Sequence, residues 1–267
     1  MESKEPAPAK VNLALHVRGK LPDGRHRLET IFAFCTDGDV VAAEPADDLT
    51  LQVKGPFAAD LGAVEDNLIL RAAKALRQHA GASQGAALTL TKNLPVASGL
   101  GGGSADAAAA LRLLTGMWGI DPAHATAVAP SLGADVPACL LSLTARGDGA
   151  GDELRLVDAG VSGTPILLVN PRVALSTAEV FAEWSGEDKG PLGDWRAGRN
   201  DLEAAAVEQV PLIGAVLAWL SVQPGVEVAR MSGSGATCFA LFESEQARDQ
   251  AEVAVPREWW RLASFLR

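Results

Sequence analysis

Apolar and polar positions alternate from Lys10 to Val17: Val11, Leu13, Leu15 and Val17 fall on one side, Lys10, Asn12, Ala14 and His16 on the other. A period of two predicts a half-buried strand, with Lys10 and Asn12 sharing a face near its start. Residues 1–9 read as a short, frayed lead-in. Pro22-Asp23-Gly24 is a turn. Arg25 to Phe34 reads as a second strand, and Val40–Ala43 and Leu49–Val53 as further short ones. The period becomes helical over Asn67–Ala80, where Leu68, Leu70, Ala73 and Leu76 recur and either Asp66 or Asn67 can serve as N-cap. Ala87–Thr91 returns to strand. Beyond residue 120 the pattern predicts a helix over His124–Leu132, a hairpin over Thr144–Leu156, a buried strand at Pro165–Asn170 and a helix over Thr177–Trp184. Ser185–Gly198 is rich in Gly, Asp and Pro and is expected to be a mobile loop unless a ligand orders it. Two helices (201–208 and Ile213–Ser221), a strand at Val226–Met231, a small-residue turn at Ser232–Ala236, a strand at Thr237–Phe242 and a helix at Glu245–Val253 complete the pattern. A boundary in Gly160–Thr164 divides the chain into domains 1–162 and 163–267.

The stretch Asn93–Leu114 stands apart from these periodicities. Gly99, Gly101, Gly102 and Gly103 lead directly into an Ala/Leu segment opened by Ser104, with five Ala and three Leu between Ala105 and Leu114. Such a segment is a strong helix former. The first N–H groups of a helix have no partner within it, the helix dipole makes that end positive, and glycines admit a bulky anion close to the backbone. These are the properties of a phosphate cradle. The alternative is an ordinary turn before a core helix. The stretch lacks the GK[ST] ending of a P-loop, has Ser104 where a dinucleotide fingerprint places its last small residue, and is accompanied by no HRD or DFG element.

Composition narrows the partners. The chain has 267 residues, 48% of them hydrophobic, and a net charge of −10. Nonspecific binding of polyanions is disfavoured, so a phosphate site must be local, and no basic patch with interleaved aromatics suggests nucleic acid. Cys35, Cys139 and Cys238 are odd in number and scattered, which suits reduced thiols in the cytoplasm. Paired metal-ligand spacing is absent. The charged start MESKEPAPAK has no apolar run of a signal peptide, and no apolar stretch reaches membrane-spanning length.

Three separated stretches remain to be explained together: Lys10 with Asn12, the glycine loop, and Gly133-Ala134-Asp135 followed by Val136-Pro137. Taken singly, Lys10 can be a solvated strand lysine and Asp135 a turn or cap residue. Their order and spacing resemble the GHMP kinase superfamily. Ala9-Lys10-Val11-Asn12-Leu13 looks like its first motif. Pro95-Val96-Ala97-Ser98-Gly99-Leu100-Gly101-Gly102-Gly103-Ser104-Ala105 looks like its second, and Met231-Ser232-Gly233-Ser234-Gly235-Ala236-Thr237-Cys238 like its third. The likeness runs over nearly the whole chain. APAKVNLALHV, PDGRH followed by ETIF, GLGGGSADAA, GADVP and RNDLE most resemble the branch that acts on a cytidine diphosphate substrate in non-mevalonate isoprenoid synthesis.

The resemblance implies an α/β (α+β) architecture of two domains, an N-terminal ribosomal-protein-like one that binds nucleotide and a C-terminal ferredoxin-like one. It implies ATP and Mg²⁺ as cofactors, with the 95–105 segment on the ATP phosphates and Mg²⁺ bridging them. Asp135 takes the place of the base that deprotonates the acceptor hydroxyl, with Lys10 to hold it ionised and to stabilise charge on the acceptor oxygen or the phosphoryl group. No further carboxylate is placed as a metal ligand. Asn67 approaches the adenosine or is simply an N-cap. Substrate recognition falls on Asn12 and on His26, with Arg25 and Phe181 as candidates for stacking on the base. The family commonly has an aromatic residue before the histidine. Here Arg25 stands there, and its guanidinium either stacks on the base or is a solvated charge. Phe181 is a stacking partner or helix core. The expected partners are two small molecules, the cytidine diphosphate substrate and ATP, with the chain a monomer or weak homodimer. Competing readings are another small-molecule GHMP kinase of the homoserine or mevalonate type, and a binding protein on the same fold without catalysis. Retention of Lys10 and Asp135 argues against the latter.

Overall fold

The computed structural model describes residues 2–267; Met1, the first residue of the lead-in, lies outside them. The chain forms two compact units that interleave along the sequence. One comprises 1–9, 37–96 and 101–142, the other 10–36, 97–100 and 143–267.

Two long strands supply both units. β1 runs Ser3–Lys20 and β2 runs His26–Ala46. Residues 3–9 are strand rather than a frayed lead-in. Ala7 and Ala9 are fully buried, and Arg112 clasps this segment through Glu5 (Nε–Oε1 2.6 Å) and the Pro6 carbonyl (2.9 Å). The predicted strands at 25–34 and 40–43 are one continuous strand. The polar run Thr36-Asp37-Gly38-Asp39 reads as a break, yet the strand continues through it, because buried Asp39 finds hydrogen-bond partners inside the fold.

In the first unit, residues 40–46 of β2 pair antiparallel with β4 (Gly85–Thr91), which pairs in parallel with β3 (Leu49–Lys54). Four helices accompany them: α1 (Leu68–Ala80), α2 (Gly102–Trp118), α3 (Pro122–Leu132) and α4 (Val136–Leu141). α2 packs against the other three. Its alanines Ala107–Ala110 are fully buried, so the Ala run serves close helix packing. α2 begins at Gly102 and not at Ser104. Glycine propensity argues against the earlier start, but the Ala105 N–H closes a turn on the Gly101 carbonyl (2.8 Å) and holds both glycines in it.

In the second unit, residues 30–32 of β2 pair with β5 (Ala145–Asp148), which forms a hairpin with β6 (Glu153–Leu156). A separate antiparallel sheet has the order β10-β7-β9-β8. It contains β7 (Pro165–Asn170), β8 (Val226–Met231), β9 (Cys238–Phe242) and β10 (Trp260–Phe265). α5 (Thr177–Ala182), α6 (Glu203–Gln209), α7 (Pro211–Ser221) and α8 (Glu245–Ala254) complete the unit. Leu167, Val169, Val216, Leu220 and Phe242 belong to its apolar core. β10 is absent from the sequence reading. Its alternation is interrupted by buried Ser264, which is accommodated by the Thr36 hydroxyl at 3.0 Å.

The 185–198 segment has no regular structure and is held by side chains of the strands beside it. Glu29 accepts the Leu192 N–H (2.6 Å), Arg146 donates to the Leu192 carbonyl (3.0 Å) and Arg18 pairs with Asp188 (2.7 Å). Buried His16 spans the loop's end, Nδ1 facing the Gly190 carbonyl (3.1 Å) and Nε2 accepting the Arg199 N–H (3.3 Å). That arrangement needs the neutral ring with its proton on Nδ1, and burial holds the His16 pKa below its ordinary value. Among the described residues no helix is long and apolar enough to cross a membrane.

Candidate active site

Lys10 and Asn12 lie on one face of β1, as the alternation predicts, and both are buried. The Lys10 ammonium donates to Asn12 Oδ1 (2.9 Å) and stands 5.2 Å from the centre of the Phe32 ring. Asn12 Nδ2 donates to Thr30 Oγ1 (2.8 Å), which donates to the Ala14 carbonyl (2.7 Å). The Asn12 amide is therefore oriented from both ends: its oxygen faces the cation, its nitrogen the hydroxyl.

The 97–100 half of the glycine loop and the 232–237 turn join this network. The Lys10 N–H donates to the Leu100 carbonyl (2.9 Å), and the Thr237 N–H to the Ser98 carbonyl (3.1 Å). Ser232 Oγ accepts the Asn12 N–H (3.2 Å) and donates to the Gly99 carbonyl (3.0 Å). Gly99 has φ +77°, and a Cβ there would come within 2.5 Å of the Ser232 carbonyl oxygen and 2.7 Å of that of Gly235. Only glycine fits between these carbonyls. Asn200 braces the turn by donating to the carbonyls of Met231 (2.8 Å) and Gly233 (2.7 Å), while Asp201 accepts the Val17 N–H (2.9 Å). The RNDLE segment thus ties turn 232–237 and β1 together. Thr30, Ser232 and Asn200 lie in quoted motifs, but the sequence reading assigns them no role. Their polar side chains at buried positions were the available signal.

The other half of the loop caps α2. Gly101 is the N-cap residue in left-handed geometry (φ +62°), and no side chain caps the helix. Among the described residues, the N–H groups of Gly102, Gly103 and Ser104 meet no acceptor. Open N–H groups at a helix start without a capping carboxylate are suited to an external anion. Of the other predicted ATP-binding positions, Leu100 and Ala105 are buried and can offer only backbone, Ser98 is buried, Val96 is exposed, and Ala97 has φ +51°. Pro95 precedes them in the turn. Asn67 is the N-cap of α1, its Oδ1 accepting the Ile69 N–H (2.9 Å). Its amide nitrogen has no part in that bond.

Asp135 stands immediately before α4, half-buried, and its side chain makes no capping bond to the helix. Asp135 thus holds the turn and N-cap position that the plain reading gives it, with no capping bond from its side chain.

His26 contacts two aromatic rings. Phe181 lies 4.8 Å away at a tilt of 32°, and Trp184 lies 5.6 Å away edge-on. Burial, and then the Lys20 charge, lower the His26 pKa, so its ring is neutral at pH 7 with one donor and one acceptor nitrogen. Trp184, read from sequence only as a helix end, completes this aromatic group. Arg25 is exposed and held by two carboxylates, Asp23 (2.7 Å) and Asp152 (3.0 Å), which raise its pKa further.

The chain is a phosphotransferase and belongs to the GHMP kinase family. It matches the GHMP kinases N terminal domain over residues 67–142 and the GHMP kinases C terminal region over residues 185–262. Among similar proteins are the 4-diphosphocytidyl-2-C-methyl-D-erythritol kinases of Rhizorhabdus wittichii, 54% identical over 100% of this chain and 96% of that one, and of Novosphingobium aromaticivorans, 48% identical over 100% and 94%. A crystal structure of 4-(cytidine 5'-diphospho)-2C-methyl-D-erythritol kinase is also similar, with a TM-score of 0.84 and 32% identity over 100% of this chain and 99% of that one.

Proposed function

We propose that the chain transfers the terminal phosphoryl group of ATP to the 2-hydroxyl of 4-diphosphocytidyl-2-C-methyl-D-erythritol, a step of non-mevalonate isoprenoid synthesis. The observation that carries the reading is the single hydrogen-bonded network made by the Lys10–Asn12 face, the 97–100 loop and the 232–237 turn. The full-length relatives supply the substrate. ATP provides the phosphoryl group. The open N–H groups of Gly102, Gly103 and Ser104 fit its phosphates, with the remainder of 95–105 shaping the loop and Asn67 near the adenosine. Mg²⁺ is assigned to the nucleotide phosphates, as the resemblance implies.

Phosphoryl transfer depends on positioning and charge neutralisation more than on covalent chemistry. In this reading Asp135 accepts the proton of the acceptor hydroxyl. Lys10, oriented by Asn12, stabilises negative charge on the acceptor oxygen or the phosphoryl group. Neutral His26 reads the edge of the cytosine ring, and Phe181 offers it a face. Arg25 is a candidate for the base or the diphosphate, and either contact competes with the Asp23 and Asp152 carboxylates that hold its guanidinium. The functional division at 160–164 assigns nucleotide binding to residues 1–162. The setting is cytoplasmic, and a monomer or weak homodimer suffices.

The reading is tested by offering the purified chain ATP with the cytidine diphosphate substrate, homoserine or mevalonate in parallel, and following product mass. Phosphate on the cytidine compound alone is the expected result. Turnover of homoserine or mevalonate in its place overturns the substrate assignment.

A further inference from the structure

Beneath the first turn of α2 lies a buried ionic cluster. Lys92, at the end of β4, is 2% exposed and pairs with Asp39 of β2 and with Asp106 of α2 (Nζ–Oδ2 2.8 Å). Asp39 Oδ1 accepts the N–H groups of Asn93 (2.5 Å) and Leu94 (2.9 Å), the residues leading into the glycine loop. A Cβ on Gly102 would sit 2.9 Å from Lys92 Nζ, so the cluster lies directly under the first helical residue. Both oxygens of Asp39 are engaged. Asp106 Oδ1 is buried with no hydrogen-bond partner. One ammonium between two carboxyl groups cannot neutralise both, and a buried carboxylate oxygen without a partner is costly.

We infer that Lys92, Asp39 and Asp106 are positioning residues for the donor nucleotide, and that Asp106 exchanges a proton which sets the charge beneath the phosphate-binding turn. This rests on the proposed role of Gly102–Ser104. With Asp106 protonated, the cluster is neutral and the carboxyl can donate to Asp39. With Asp106 ionised, a net negative charge lies under the N–H groups that receive the phosphates. Lys92 and Asp39 are the charged groups facing Asp106 from β4 and β2. Burial, opposed by Lys92 and reinforced by Asp39, pushes the Asp106 pKa up to about 7. The exchange therefore falls near neutrality, and nucleotide binding weakens as pH rises through that range.

Asp106→Asn keeps the shape and the donor of the protonated form but cannot ionise. The experiment compares its KM for ATP with that of the parent chain at each pH between 6 and 8, which cancels titration of the nucleotide itself. The parent-to-variant ratio is expected to start near unity and rise roughly three- to tenfold toward pH 8, with kcat and acceptor KM following no such trend. A ratio that stays flat across the range, in a variant that melts cooperatively, overturns the inference. Gly103→Asp, on an exposed residue with open space around it, places a carboxylate at the helix start and separates the two readings. A raised KM for ATP in that variant with a flat Asp106→Asn ratio defeats the positioning role alone. An unchanged KM in Gly103→Asp defeats the phosphate-turn reading and this inference with it.

Discussion

Gly99 in the loop and Gly102 at the first position of α2 stand three residues apart, yet they are required for different reasons. A side chain at Gly99 would strike the carbonyl oxygens of Ser232 and Gly235; one at Gly102 would strike the tip of Lys92. Backbone carbonyls are fixed by their own hydrogen bonds, whereas the end of a lysine can shift if its ion pairs allow. Gly99 also has positive φ, and a left-handed conformation costs a non-glycine residue about 1–2 kcal/mol before any clash. The first glycine belongs to a network of amides, hydroxyls and carbonyls around Lys10 and Asn12, the second to a buried cluster of charges. The region around Gly99 should govern chemistry and fold, and the region around Gly102 the affinity for ATP.

The sharpest way to break this comparison is Lys10→Ala. It should lower kcat by roughly 10²–10³-fold, the scale of losing one group that stabilises transition-state charge. Steady-state kinetics with a melting curve would check that the loss is not unfolding. Gly99→Ala comes next, with an expected loss of about 3 kcal/mol of stability from strain and overpacking; urea unfolding measures it. For Gly102→Ala the expected loss is smaller, about 1 kcal/mol or less, because better helix propensity offsets part of the displaced ammonium. Its signature should be a raised KM for ATP with kcat retained. Equal destabilisation by the two alanines would erase the distinction.

The subtlest test concerns pH. The folded-state pKa of Asp106 is about 7 against an ordinary 3.8. A raised carboxyl pKa contributes stability that is fully present below the unfolded value and is lost as pH rises through the folded one. Relative to Asp106→Asn, the parent chain should lose on the order of 4 kcal/mol between pH 4 and pH 8, read from paired denaturation curves.

Much of this arrangement is legible along the chain, for reasons that can be named. β1 carries a clean period of two, so the shared face of Lys10 and Asn12 follows from alternation alone. The hairpin of β5 and β6 announces itself by Gly147–Gly151, and the glycines before an Ala/Leu run mark the start of α2 to within two residues. What stays hidden is polar chemistry that looks like punctuation. Thr36 to Asp39 reads as a loop because a lone sequence does not reveal that Asp39 meets Lys92 and two N–H groups. Asp106, the one acid in the buried run SADAAAAL, is an anomaly visible in sequence, but its partner lies fourteen residues back and its charge state depends on burial. The 185–198 segment reads as loose because nothing in its composition shows that Arg18, Glu29 and Arg146 fasten it.

In the proposed function, proton chemistry and nucleotide binding reside in different residues. Asp135→Asn tests it most directly, with kcat measured beside the dissociation constant of a non-hydrolysable ATP analogue. A fall in kcat of at least about a hundredfold, with the analogue bound as tightly as by the parent chain, is predicted. Near-parental turnover, or a loss of activity accounted for by weakened nucleotide binding, would contradict it.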